Sequence, residues 1–289
     1  PTADRFAEAF SYRDYLHAVT QARARAGRHP LSLYLHIPFC DTVCYYCGCN
    51  KIVTKNREKA ATYLSYLKRE IEMQGKLFAG VNQLGQLHFG GGTPTYLSDE
   101  QMLDLMHHIR RWFQMADDQK GEYSIEVDPR SVTAERIHRL RGQGFNRISL
   151  GVQDFDPEVQ KAVNRIQPEL LTLEVIRAAR DAKFRSISID LIYGLPRQNL
   201  NSMAQTLTKI IAPCRIVDQR ERAPATTLAE LRTITLVIGR PPSRPDTMLP
   251  KPCATNSRLG GDTRCSGSSL CGALNTTPDL CRALPVGVW

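Results

Sequence analysis

Residues 31–51 read LSLYLHIPFCDTVCYYCGCNK. The first seven have strand length, and a period of two sets Tyr34 and His36 on one face with Leu33 and Leu35 on the other. Pro38 ends the run, and Cys40, Cys44 and Cys47 follow at Cys-x3-Cys-x2-Cys spacing. Three thiolates in one short loop can hold three irons of a cubane [4Fe–4S] cluster and leave the fourth iron open to a substrate or cofactor. Two other readings stay open. Zinc favours four closed ligands, usually as two separated pairs, and Cys49 is available as a fourth. A disulfide needs an oxidising compartment, to which nothing else in the chain points.

Outward from this loop, strand-length apolar runs alternate with helical patterns. Strand candidates are Leu31–Ile37, Leu84–Phe89, Glu122–Val127, Arg147–Val152 and Ser186–Ile192. Between them, Leu64, Leu67 and Ile71 share one helical face, as do Leu103, Met106, Ile109 and Phe113. Ser98 with Gln101 predicts a capping box. Asp156-Pro157 predicts an N-cap followed by proline at the first helical position. Gly142 and Gly144 are placed to stop a helix before the fourth strand. Such alternation predicts an α/β fold with a parallel sheet under covering helices, for which a βα barrel, whole or partial, is the closed form. Chemistry in these folds gathers at the C-terminal strand ends. There the sequence sets Cys40, Gly90–Pro94, Glu126 with Asp128, Gln153 with Asp154, and Asp190 with Tyr193-Gly194. Turns favour Gly, Pro and Asp, which explains each singly, but five coincidences on one rim favour a site.

The 289 residues suffice for one large domain or two small ones, and 42% hydrophobic residues provide a substantial core. No long apolar run suggests a membrane span and no leader suggests export, so the expected compartment is the cytoplasm. The chain begins Pro1-Thr2-Ala3, and its N-terminus is expected to be incomplete. A net charge of +9 suits an anionic ligand. The charge is scattered, with no basic-aromatic stripe for nucleic acid, and fits a solvated mixed-charge surface. From Pro213 the composition changes. Five of the nine cysteines and nine of the seventeen prolines lie from Pro213 onward, with Trp289 as the sole aromatic. Periodicity is weak apart from Leu228–Ile238, and Cys214, Cys253, Cys265, Cys271 and Cys281 lack paired metal-ligand spacing. This stretch reads as an irregular tail, with a zinc-binding tail as the sharper alternative.

The motifs LYLHIPFCDTVCYYCGCNKIVT, LHFGGGTPTYL, SIEVDPR, GFNRISLGVQDFDPEVQKAVNR and IDLIYGLPRQ, in this order, resemble the radical S-adenosylmethionine enzymes. In closer detail they resemble the oxygen-independent coproporphyrinogen III oxidase family, from the start of the chain to about residue 212. A haem-chaperone-like sibling branch shares the triplet and a similar Gly-rich segment. It has an aromatic residue where Cys49 stands, whereas Cys47-Gly48-Cys49-Asn50 matches the oxidases.

The resemblance implies a [4Fe–4S] cluster on Cys40, Cys44 and Cys47, with Cys49 outside the ligand set, and S-adenosyl-L-methionine on the open iron. Reductive cleavage then yields a 5′-deoxyadenosyl radical, which takes hydrogen from a propionate β-carbon. Loss of carbon dioxide and an electron leaves a vinyl group, twice per coproporphyrinogen III. By the same resemblance Tyr46 packs near the adenine, and Gly91, Gly92 and Thr93 approach the methionine ammonium. Glu126 accepts from that ammonium, Arg165 pairs with a carboxylate, and Gln153 and Asp190 hold ribose hydroxyls. Tyr34 and His36 are candidates for cofactor contact and for substrate or proton handling; Glu126 joins them as a catalytic candidate. Expected partners are the porphyrinogen and a one-electron donor such as flavodoxin or ferredoxin, with no nucleic acid and no membrane, on a monomer.

The implied fold is a partial (β/α)6-type barrel. Five βα units are legible at 31–212, after an N-terminal helical segment at 1–30 and before an irregular tail at 213–289. The family's sixth strand is not legible; only Arg215-Ile216-Val217 offers a short strand. The helical domain with which the family covers its site has no counterpart. A truncated or frameshifted reading is therefore expected, with an exposed sheet edge, an open cavity and impaired catalysis.

Overall fold

A computed structural model describes residues 10–26, 30–216 and 233–238 of the chain. The five expected strands are present, each within two residues of its predicted ends. They are β1 (Leu31–Ile37), β4 (Gln83–Gly91), β6 (Glu122–Val127), β7 (Arg147–Gln153) and β8 (Ser186–Tyr193). A sixth, β9 (Thr233–Ile238), pairs parallel to β8 from Ser188↔Thr233 to Tyr193↔Ile238. The sheet order is β1-β4-β6-β7-β8-β9, all parallel, with short β5 (Gln114–Met115) beside β4. Each crossover carries helix: α2 (Glu58–Leu77), α3 (Asp99–Trp112), α4 (Ala134–Gly142), α5 (Pro157–Ala162) with α6 (Glu169–Asp181), and α7 (Leu200–Ile216). A further helix, α1 (Tyr12–Ala26), precedes the sheet.

The strand order never reverses. Right-handed crossovers that always step the same way put every covering helix on one face of the sheet, as in a barrel, and leave the other face as the interior. Burial follows this division. Tyr123, Ile125 and Val127 of β6 and Ile148, Leu150 and Val152 of β7 are buried, as are the core residues Leu64, Leu67 and Ile71 of α2 and Met102, Leu105, Met106 and Ile109 of α3. The alternate residues, Ser124 and Glu126 on β6 and Ser149, Gly151 and Gln153 on β7, are only partly buried. Polar side chains thus occupy the inner face at the period-two positions between core residues.

Local signals are realised as read. Ser98 Oγ accepts from Gln101 N at 3.2 Å, and Gln101 Oε1 accepts from Ser98 N at 3.0 Å, closing the capping box. Asp156 Oδ1 accepts from Glu158 N and Val159 N ahead of α5. α4 ends at Gly142, and Gly144 has φ +109°, a conformation that favours glycine.

Several expectations are corrected. Leu103 is 41% exposed; the buried stripe of α3 runs through Met102, Leu105, Met106 and Ile109, and Leu103 lies about 100° off its start. Arg215-Ile216 ends α7 and is not strand, because a run of three apolar or mixed residues has no period of its own. The expected missing strand is supplied by β9, inside the Leu228–Ile238 segment, so β8 is not a sheet edge. The boundary expected at 212 falls inside α7, and β9 lies within the stretch read as irregular tail. The described residues all fall in one unit, Pro1–Pro241. Cys253, Cys265, Cys271 and Cys281, and the zinc-tail reading built on them, lie outside the described residues. Among the described residues no helix is long and apolar enough to cross a membrane.

Candidate active site

The cysteine loop hangs from a two-residue parallel ladder. β2 (Phe39–Cys40) pairs with β3 (Ile52–Val53), closed by Ile52 N donating to Pro38 O at 2.7 Å and Thr54 N to Cys40 O at 3.0 Å. The far side of the loop is tied to the segment after α5: Tyr45 N donates to Val163 O at 3.0 Å, and Asn164 Nδ2 to Val43 O at 2.7 Å. Cys40, Cys44 and Cys47 are free thiols and border one cavity of about 680 Å³ at the C-terminal strand ends. Tyr46 faces the same cavity and packs against the small apolar cluster of Val159, Val163, Ile192 and Leu195.

The thiols of the loop differ in their surroundings. A hydrogen bond from Cys49, assisted by Lys51, pulls the Cys47 thiol down to about 5, while Cys49, which gives that hydrogen bond, is raised. Burial pushes the Cys40 thiol up, and Thr93 Oγ1 lies 3.4 Å from its sulfur. Cys44 Sγ lies 3.6 Å from both Arg130 Nη2 and Arg165 Nη1. Asp128 holds the two guanidinium groups together, accepting from Arg130 Nη2 at 2.7 Å and Arg165 Nη1 at 3.0 Å. Burial opposes ionisation of Asp128, but the hydrogen bonds from Arg130 and the charges of both arginines outweigh it and lower its pKa. Arg165 also donates to Gly151 O at 2.7 Å, while its Nε is buried without a partner. The carboxylate on the Arg165 fork in this structure is therefore Asp128.

The Gly-rich turn approaches the end of β1 closely. Gly92 N donates to Ile37 O and Thr93 N to Phe39 O, both at 2.9 Å. A Cβ on Gly92 would lie 2.8 Å from the carbonyl carbon and oxygen of Pro38, and Gly91 has φ +115°. Gly92→Ala is therefore expected to cost about 1–3 kcal/mol in urea unfolding, because backbone must move to admit the methyl group. Gly48→Ala, where a Cβ meets nothing within 4 Å, is expected to stay within about 0.5 kcal/mol of the parent. Equal midpoints for the two variants would show that the turn gives way freely.

Glu126, Gln153 and Asp190 also border the cavity. Asp190 Oδ2 accepts from Ser149 Oγ at 2.8 Å. Gln153 has φ +69° at a register shift between Gly151 and Gln153, a bulge that re-aims its side chain. Asp154 behind it is 1% exposed and accepts from Thr206 Oγ1 and Gln198 Nε2, tying the bulge to α7 and to the turn after β8. Tyr34 and His36 do not line the cavity wall. Tyr34 OH bonds His36 Nδ1 at 3.1 Å, and His36 Nε2 bonds Asn50 O at 2.8 Å, so this pair reaches back to the cysteine loop. The other expected site residues line the cavity together.

The sequence model of the Radical SAM superfamily matches residues 34–210. The chain belongs to the radical SAM superfamily. This radical SAM chain is 51% identical over 212 residues to an oxygen-independent coproporphyrinogen III oxidase of Pseudomonas aeruginosa, covering 73% of this chain and 46% of that protein. It is 50% identical over 210 residues to the enzyme of that name from Escherichia coli, with 73% and 44% covered. A solved structure described as coproporphyrinogen III oxidase from Escherichia coli, a radical SAM enzyme, superposes with a TM-score of 0.69 at 48% identity. That match covers 74% of this chain and 48% of the other. The radical SAM chain thus spans about half the length of the curated relatives it matches.

The residues present fit an iron–sulfur cluster. Three thiols border a cavity with Lys51, Arg130 and Arg165 beside them to offset thiolate charge, and Gly91, Gly92 and Thr93 of the glycine turn border the same cavity. Among the described residues no three His, Cys, Asp or Glu side chains gather round a single-ion position; a cubane asks for a wider triangle, each thiolate on its own iron. Sequence reading passed over His88, Arg130 and Ser149, which also line the cavity of this radical SAM chain. Arg130 was in view within the EVDPR run. His88 and Ser149 alternate with core residues on their strands, a polar periodicity that marks an inner face.

Proposed function

We propose that this chain carries the cofactor-binding part of an oxygen-independent coproporphyrinogen III oxidase, which converts two propionates of coproporphyrinogen III to vinyl groups and so forms protoporphyrinogen IX. One observation carries the reading: three free thiols, a glycine turn and the Asp128–Arg130–Arg165 cluster meet on one cavity wall in a chain half identical to enzymes of that name. Cys40, Cys44 and Cys47 would hold a [4Fe–4S] cluster, and S-adenosyl-L-methionine would lie beside it. When bound, these groups supply one-electron chemistry able to remove hydrogen from an unactivated carbon.

The chain's own residues bind and orient. Backbone at Gly91 and Gly92 lies open to a cationic amino group, and Glu126 offers it a carboxylate. Gln153 and Asp190 present polar ends to ribose hydroxyls across the cavity. Arg130 and Arg165 offset anionic sulfur and keep a carboxylate ordered beside it. Tyr46, half-buried against Val159 and Ile192, gives an adenine an apolar wall. Asn50 O accepts from His36 Nε2–H, which leaves Nδ1 to accept from Tyr34 OH and holds this pair where it can handle a substrate proton. A one-electron donor such as flavodoxin or ferredoxin would reduce the cluster.

The test is anaerobic reconstitution of the full chain with iron and sulfide, followed by S-adenosylmethionine, dithionite and coproporphyrinogen III. Expected results are four irons and four sulfides per chain, release of 5′-deoxyadenosine and methionine, and loss of carbon dioxide from the porphyrinogen. A chain that takes up zinc without sulfide, or binds haem stoichiometrically without decarboxylation, sinks the reading.

A further inference from the structure

We propose that His88 is a positioning residue whose Nε2–H holds one oxygen of Glu126 and turns the other toward the amino group of bound S-adenosylmethionine. This rests on the part given to Glu126 in the proposed function. His88 lies on the inner face of β4, in register with Tyr34 on one side and Ser124 on the other. Its Nδ1 is 2.6 Å from Ser124 Oγ, and its Nε2 is 3.1 Å from Glu126 Oε1. The Tyr34 ring stacks on the imidazole, centroids 5.6 Å apart and 14° from parallel.

Proton counting fixes the direction of the Glu126 contact. Ser124 has a single hydroxyl proton, with Leu87 O as its other acceptor at 3.3 Å. If the hydroxyl donates to Nδ1, the imidazole is neutral and its own proton sits on Nε2. If the hydroxyl donates to Leu87 O, Nδ1 needs a proton to bond Ser124, and Nε2 needs a second to face the carboxylate. With Glu126 ionised, Nε2–H donates to it in both arrangements. The backbone makes room for this contact. A Cβ on Gly90 would lie 3.0 Å from each of Glu126 Oε1, His88 Nε2 and Tyr34 Cε2, so the three side chains converge over the one position that has none. Ser124 and Tyr34 hold the ring, the ring holds one carboxylate oxygen, and the other oxygen is left for a ligand.

The experiment compares the reconstituted parent with His88→Phe, His88→Gln and Glu126→Gln, reading iron and sulfide content and the Kd for S-adenosylmethionine by anaerobic equilibrium dialysis. Phenylalanine keeps a ring against Tyr34 but has no donor; glutamine restores an N–H donor near the Nε2 position. His88→Phe is expected to keep its cluster and to weaken binding by about ten- to a hundredfold, the size of one hydrogen bond to a charged group. His88→Gln is expected to recover most of that loss, which a merely structural role for the ring would not produce. Phe and Gln variants that both bind within twofold of the parent, or that bind equally weakly, overturn the positioning role. A parent that binds S-adenosylmethionine while Glu126→Gln binds equally well overturns the role of Glu126, and that of His88 with it. A parent that forms no cluster and binds no S-adenosylmethionine removes the proposed function itself.

Discussion

Cys40→Ala, Cys44→Ala and Cys47→Ala are each expected to bring iron and sulfide to background after anaerobic reconstitution, while Cys49→Ala keeps the cluster. Cys40 ends β2, the other three cysteines lie between β2 and β3, and all four border the cavity, so position alone does not separate the ligands from Cys49. Their surroundings do. Cys40 is held at the end of the ladder with Thr93 at its sulfur, and Cys44 faces two guanidinium groups. A hydrogen bond from Cys49 favours the Cys47 thiolate, while Cys49 is exposed and has its own acidity reduced by that contact. A protein without the cluster has nothing to reduce S-adenosylmethionine, so its cleavage is expected to fall about a hundredfold or more, at least the scale of losing a ligand's direct support. The check is iron and sulfide analysis with the electron paramagnetic resonance of the reduced protein. A Cys44→Ala protein with a full cluster, or a Cys49→Ala protein without one, would falsify the ligand assignment.

Asp128→Asn is expected to lower the stability of the chain by about 3–5 kcal/mol, the cost of removing one partner from a buried ion pair. The Asp128 side chain is 14% exposed, that of Arg165 7% and that of Arg130 22%. Water therefore does little to screen the two cations once the carboxylate is gone. The amide keeps the shape and one acceptor, so the loss reports charge and not packing. The pH dependence has a definite sign. The folded-state pKa of Asp128 lies below its ordinary value. Its contribution is present above the ordinary carboxylate range and is lost as pH falls through the lowered value. The parent should thus lose stability on acidification more steeply than Asp128→Asn. Urea midpoints at pH 7 and below the ordinary carboxylate range, at about pH 3, measure both effects, and a change below about 1 kcal/mol at pH 7 would place the cluster in the range of solvent-screened surface pairs.

Much of the fold was legible because its signals are local. The alternation in LSLYLHI, the capping box at Ser98 and Gln101, and Asp156-Pro157 each act within a few residues, and each formed as read. β9 was not legible as a sixth strand. Its backbone pairs with β8, some forty residues upstream, and a parallel strand depends on the neighbour it joins more than on its own composition. Arg215-Ile216-Val217 failed for the converse reason: three residues are too few to show whether the period is 2 or 3.6. Among site residues, the cysteines, the glycine turn and Glu126 stood out by motif. His88 did not, since its partners Tyr34, Ser124 and Glu126 are 36 to 54 positions away and meet it only across neighbouring strands.

The sequence by itself determined the strand–helix alternation, the three-thiol loop and the rim on which polar and glycine residues fall, because these depend on spacing along the chain. Tertiary structure alone decided which carboxylate occupies the Arg165 fork, that the sheet continues to a sixth strand, and that Tyr34, His88 and Glu126 converge over Gly90. Each is a contact between strands or loops distant in sequence, and parallel register, which no local pattern encodes, sets which side chains face one another.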